Sequence, residues 1–176
     1  MTEKEPTLRD VIRAFRAAPY LFRGARYVAK GRYDRALADF DRAIELYPDQ
    51  VSGFAHRGTA YLWMGRYDQA LADYDRAIEL DAAYASAIHG RAETYLKMER
   101  YDDALADFDR AIELGAVATS TSPAGIFIDR GVTYGAMGRY DQALADFDRA
   151  IELDPTEEEF AAARTEICQL TGRSDY

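Results

Sequence analysis

The sequence predicts an all-α protein, a solenoid of four helix-turn-helix repeats, and three observations predict it. The stretch Gly65 to Leu80, GRYDQALADYDRAIEL, returns almost letter for letter at 31–46, 99–114 and 138–153. The first three copies start 34 residues apart, and the fourth starts five residues late, so one junction is longer than the others. Within every copy the apolar residues fall at i, i+3, i+4 and i+7, the spacing of one helix face. A fixed period of this size describes stacked units, each burying its apolar side only against its neighbours.

Taken in order, the chain opens with a basic amphipathic segment, residues 1–16. Thr7 is a cap with Asp10 three residues on, in the manner of a capping box. Leu8, Val11, Ile12 and Phe15 form one side of this helix and Arg9, Arg13 and Arg16 the other, and Pro19 is expected to lie beyond its end. It is expected to cover the open end of the array, which repeat architectures require. An anionic surface or an acidic partner is the alternative use of its arginines.

Four repeats follow, at 17–50, 51–84, 85–118 and 124–157. In repeat one Tyr20, Gly24 and Tyr27 face Tyr33, Ala36, Leu37, Phe40, Ala43 and Ile44. Repeat two sets Phe54, Gly58, Tyr61 and Met64 against Tyr67, Ala70, Leu71, Tyr74, Ala77 and Ile78. The aromatic residues are core, and Gly24, Ala36 and Ala43 let helices approach closely. On the second helices Asp39 and Arg42, Asp73 and Arg76, Asp107 and Arg110, and Asp146 and Arg149 stand three apart, a spacing at which opposite charges pair. The inserted loop 119–123 lies in a Gly-, Ser-, Thr- and Pro-rich run, read as a lengthened turn. The remainder, 158–176, is a capping helix and tail, with Thr156 and Glu159 expected to cap it, three glutamates at its start and Gly172 at its end.

Phe54, Gly58, Tyr61, Gly65, Tyr67, Ala70, Tyr74, Ala77 and Leu80 all stand at the offsets of one signature, and by them the chain resembles the tetratricopeptide repeat (TPR) family. The resemblance implies a right-handed α-solenoid whose first helices line a concave groove that takes a peptide or helix of a partner protein. The groove positions it implies are Leu21, Phe22 and Val28, then His56, Thr59, Leu62 and Trp63, then His89, Glu93, Leu96 and Lys97, then Ile128, Asp129 and Val132. The carboxylate clamp of the chaperone-binding branch has no counterpart, since its places hold residues such as Leu21, Ala25, His56 and Gly90. One departure recurs: where that family commonly has leucine, this chain has Arg23, Arg57, Arg91 and Arg130. An arginine facing a helix pair needs a carboxylate, and Asp39, Asp73, Asp107 and Asp146 are the expected partners.

Charge and composition narrow the function. The formal net charge is −9, which disfavours a general nucleic-acid binder. The balance is uneven: residues 1–35 hold nine basic against four acidic side chains. A basic start and an acidic end suggest a head-to-tail homo-oligomer as the alternative to an adaptor. The single cysteine, Cys168, is read as a small apolar residue, and His56 and His89 with Glu93 fall short of a metal set, so no metal and no cofactor is expected. Nothing resembles a nucleophile motif or a phosphate loop, so the chain is read as non-enzymatic. No apolar run approaches the ~20 residues of a membrane span, so membrane contact is not expected and a cytoplasmic location is.

Overall fold

The computed structural model describes residues 7–115 and 123–172. Within them lie nine helices: α1 (Leu8–Val28), α2 (Tyr33–Leu46), α3 (Val51–Trp63), α4 (Tyr67–Leu80), α5 (Ala85–Lys97), α6 (Tyr101–Glu113), α7 (Pro123–Ala136), α8 (Tyr140–Leu153) and α9 (Glu158–Thr171). Residues 119–122 of the inserted loop fall outside the described residues. The chain divides into two compact units, the first ending at Gly90 and the second beginning at Arg91.

Turns of one design join the helices of a pair. Gly31, Gly65 and Gly138 take φ of +64°, +69° and +72°, the left-handed region that only glycine enters without steric cost. After that residue the chain folds back, and Arg66 N–H donates to the Tyr61 carbonyl at 2.9 Å. The guanidiniums of Arg66, Arg100 and Arg139 then stack over Tyr61, Tyr95 and Tyr134 at 4.9, 4.4 and 4.7 Å.

In the first unit the core is built on Phe40 and Tyr74. The Phe40 ring lies where a Cβ at Gly24 would be, and the Tyr74 ring covers Gly58 and Gly90. Tyr74 is fully buried, and its hydroxyl donates to Thr59 Oγ1 at 3.1 Å. In the second unit Phe108 and Phe147 hold the same place. Phe147 lies on Gly131, and with Ala143 and Ile167 of α9 it forms a cluster that Ile128 also touches.

Helix α1 differs from expectation. It does not stop before Pro19 but runs through it for 21 residues. Proline lacks the N–H that would bond the Phe15 carbonyl, normally ending a helix, but Phe15 and Pro19 both lie on the solvent side, where that carbonyl is not left unpaired in a dry core. Ala17 and Gly24, either side of it, are buried, Gly24 against Phe40 of α2, and hold the axis. The Thr7 capping box is present, with Asp10 N–H donating to Thr7 Oγ1 at 3.3 Å and Thr7 N–H to Asp10 Oδ2 at 3.0 Å. At α9 the expected capping box is absent: Glu157 stands at the N-cap without a side-chain bond. Thr156 instead donates its N–H and hydroxyl to Asp154 Oδ1, 3.1 and 2.7 Å away, a turn that competes with the cap. Gly172 ends α9 with φ +66°.

Candidate functional site

The recurring arginines are where the sequence departs most from a plain apolar repeat, and their geometry is uniform. Each grips its aspartate with two parallel bonds, through Nε and Nη2: Arg23 on Asp39 (2.7 and 2.5 Å), Arg57 on Asp73 (2.8 and 2.7 Å), Arg91 on Asp107 (2.7 and 2.8 Å) and Arg130 on Asp146 (2.8 and 2.6 Å). The four carboxylates are buried. A planar guanidinium matches a carboxylate in this two-bond form, which lysine does not reproduce. The hydrogen bonds that Arg57 donates to Asp73 raise its pKa, and those that Arg130 donates to Asp146 do the same.

The third nitrogen of the fork reaches further. Arg57 Nη1 donates to Asp41 on the preceding α2 at 2.6 Å, and Arg130 Nη1 to Asp109 on α6 at 2.6 Å. In α9 Arg164 Nε meets Asp148 of α8, again at 2.6 Å. One residue type thus ties a helix pair together and ties it to the helix before it. The sequence signal was present, since an aspartate recurs two places after each ladder aspartate, but such an aspartate reads as solvated until the neighbouring helix is placed.

The i, i+3 pairs within second helices are a correction. Arg42, Arg76 and Arg149 bond Glu45, Glu79 and Glu152, at 2.6, 2.9 and 2.7 Å, because the aspartates three residues before them are turned inward to the ladder.

The edge of the first helices that carries the exposed rings of Phe22 and Trp63 is the remaining surface. At 3.6 residues per turn, Ser52, His56, Thr59 and Trp63 form one strip on α3, and Ala18, Phe22 and Ala25 the matching strip on α1. Phe22 is 69% and Trp63 60% exposed. Between them His56 is stacked on Phe40 at 5.7 Å, and Thr59 Oγ1 donates to the Ala55 carbonyl at 3.0 Å. The strip therefore carries two exposed aromatic rings and no charged side chain. Leu62 is buried in the core around Tyr74, while Leu21 and Val28 pack half-buried against Ala36, Leu37 and Phe40. These three contribute to packing, since they lie one step round the helix from the strip. His89 is buried as well.

In the second unit the corresponding strip is mixed. Glu93 and Asp129 are half-buried, Lys97 and Val132 exposed, and Leu96 half-buried. Ile128 belongs to the Phe147 cluster. Charge alternates with apolar surface here, unlike the strip on α1 and α3.

Burial lowers the pKa of His56 below its ordinary 6.5. The unfolded chain then takes up the proton at higher pH than the folded one, so stability is intact above 6.5 and is lost as pH falls from there through the depressed value. Urea titrations at stepped pH should show this loss in the native sequence and a flatter profile in His56→Phe. Identical profiles would remove His56 as the cause.

A surface of this kind, helix pairs presenting one accessible strip per first helix, defines a helical-repeat interaction scaffold. Tetratricopeptide repeat models match residues 24–65, 51–84 and 83–156, which together run without a gap, and the chain belongs to the tetratricopeptide repeat family. No curated protein matches the chain. Among solved structures it is similar to TTC0263, a thermophilic TPR protein of Thermus thermophilus, with 24% identity over 89% of this chain and 84% of that one and a TM-score of 0.76. PilF of Pseudomonas aeruginosa is similar at 17% identity over 90% of this chain and 70% of that one, TM-score 0.83. The first TPR of Spaghetti (RPAP3), solved with the HSP90 peptide SRMEEVD, is similar at 23% identity over 69% and 93%, TM-score 0.63. These likenesses show the fold. Among the described residues no helix is long and apolar enough to cross a membrane.

Proposed function

We propose that the protein is an adaptor that seats an apolar peptide or helix of a partner protein on the first-helix strip of its first unit. The observation that carries this is the pair of exposed rings, Phe22 and Trp63, on neighbouring helices with only Ala, Ser, Thr and a stacked His between them. A few large side chains, tryptophan foremost, carry most of the energy of a binding surface, and the contacts around them add little. Thr59 has spent its hydroxyl inside the fold, so the strip selects by shape and apolar contact. The second unit, with Glu93, Lys97, Asp129 and Val132, offers a polar strip of its own. The Spaghetti domain shows the same fold holding a peptide.

Trp63 is the only tryptophan, which gives the test its readout. Peptides selected from a display library on the native protein should shift Trp63 emission to shorter wavelength as they cover it. Trp63→Ala and Phe22→Ala should each weaken those peptides by about tenfold or more, as loss of a hot-spot ring does, with the thermal melt unchanged. Selected peptides that bind the double variant as well as the native protein would sink the proposal.

A further inference from the structure

The edge of α1 repeats, with no occupant among the described residues, the surface by which a first helix takes the second helix before it. That surface is visible in the first unit, where α3 packs on α2. Gly53 abuts Ile44, His56 stacks on Phe40 at 5.7 Å, Ala60 enters the cluster of Ala36, Leu37 and Phe40, and Arg57 reaches Asp41 at 2.6 Å. The positions of α1 in the same register are Pro19, Phe22, Arg26 and Arg23. Among the described residues Arg23 meets one carboxylate, Asp39, and its side chain is 56% exposed against 22% for Arg57 and 19% for Arg130.

The edge continues past the repeat. The extra turns at the start of α1 place Leu8, Ile12 and Phe15 along the same line, with exposures of 76%, 50% and 80%. They do not cover the end of the array as expected, because the buried side of α1 is the opposite one, that of Ala17 and Gly24. Beside them an open groove of about 530 Å³ runs between α1 and the end of α2, lined by Leu8, Ile12, Leu46, Glu45 and Arg9, Arg13 and Arg16. An apolar line bordered by cations calls for an amphipathic helix bearing carboxylates.

We infer that the edge of α1 binds an acidic amphipathic helix of a partner protein, patterned like this chain's own second helices, with a carboxylate on the free side of Arg23 and apolar residues over Phe15, Ile12 and Leu8. The charge selects the occupant: residues 1–35 are net basic, and where α3 docks on α2 the second helix supplies an aspartate to the arginine. Arg26, standing where repeat two has Ala60, stacks over Phe22 at 5.9 Å and offers a second cation to such a helix. A second copy is a poorer fit, since the free side of its α9 presents Glu158, Glu159, Glu166 and Gln169 with Leu170 as its one large exposed apolar residue.

The probe is a labelled synthetic peptide of sequence 138–153, which carries Asp148 and the full second-helix pattern, titrated into the full chain by fluorescence anisotropy. Saturable binding is expected, weakened roughly three- to tenfold by Asp148→Asn in the peptide, as loss of a partly exposed charge-assisted bond implies, and abolished by Phe15→Ser in the protein. Trp63→Ala should leave it intact, which separates this edge from the strip of the proposed function. No saturable binding, or binding that survives Phe15→Ser, overturns the inference. So does light scattering that shows the chain alone dimerising through Phe15, or sedimentation with phosphatidylserine vesicles by a chain that ignores the peptide.

Discussion

Replacing Phe147 with alanine should lower the unfolding free energy by about 3–5 kcal/mol, the range for deleting a fully buried phenyl ring. The ring is 1% exposed and sits directly on Gly131, with the Ala143 backbone and Ile167 around it. A glycine has no side chain to move into the vacated space, so the cavity persists and the cost stays at the high end of such substitutions. Against a total of about 5–15 kcal/mol for a typical domain, this is a large share. Urea denaturation followed by far-ultraviolet circular dichroism measures it. Adding Gly131→Ala to the Phe147→Ala variant should recover part of the loss, whereas the same change in the native background should destabilise, since its Cβ would lie 2.6 Å from the ring. A cost below about 1.5 kcal/mol for Phe147→Ala would mean that the helices close over the gap.

The second large effect is expected at the ladder. Asp73→Ala removes two of the three bonds of Arg57 and leaves the guanidinium, with 22% of its side chain exposed, holding only Asp41. Breaking a buried pair costs about 3–5 kcal/mol, and partial exposure and the remaining Asp41 bond reduce that to about 2–3 kcal/mol here. The double variant Arg57→Leu, Asp73→Leu should return to within about 1 kcal/mol of the native protein, because an apolar pair of similar size carries no desolvation cost. A full double-mutant cycle checks this. Additive losses would show that the two side chains act independently and that the bonds contribute little.

Those two experiments rest on different kinds of legibility. The aromatic core could be read directly: a ring recurring every repeat opposite a glycine or alanine on a helical face has few places to go but inward. The ladder could be read by elimination, since an arginine in an apolar stripe needs a carboxylate and one aspartate recurs opposite it. The inter-repeat bonds to Asp41, Asp109 and Asp148 could not. Those aspartates lie on a face that looks solvated until another helix is laid across it, while Arg42, Arg76 and Arg149 turn to glutamates because the ladder takes the aspartates three places before them. Of the groove residues, Phe22, Trp63 and Val132 are exposed, whereas Leu62 and His89 are buried. About one hundred degrees of helix rotation separates adjacent positions, so a stripe assigned by register alone takes in core residues at its border.

By itself the sequence determined the repeat, its helix pairs, the buried rings and the arginine–aspartate partners. All of these follow from spacing along one helix or across one hairpin, where local geometry leaves a single arrangement. Only the tertiary structure decided that α1 runs on through Pro19, that Leu8, Ile12 and Phe15 face solvent, and that the third nitrogens of Arg57 and Arg130 bond to the preceding helix. Those outcomes depend on which surfaces meet between repeats, and a side chain's burial is set by what lies across from it as much as by what it is.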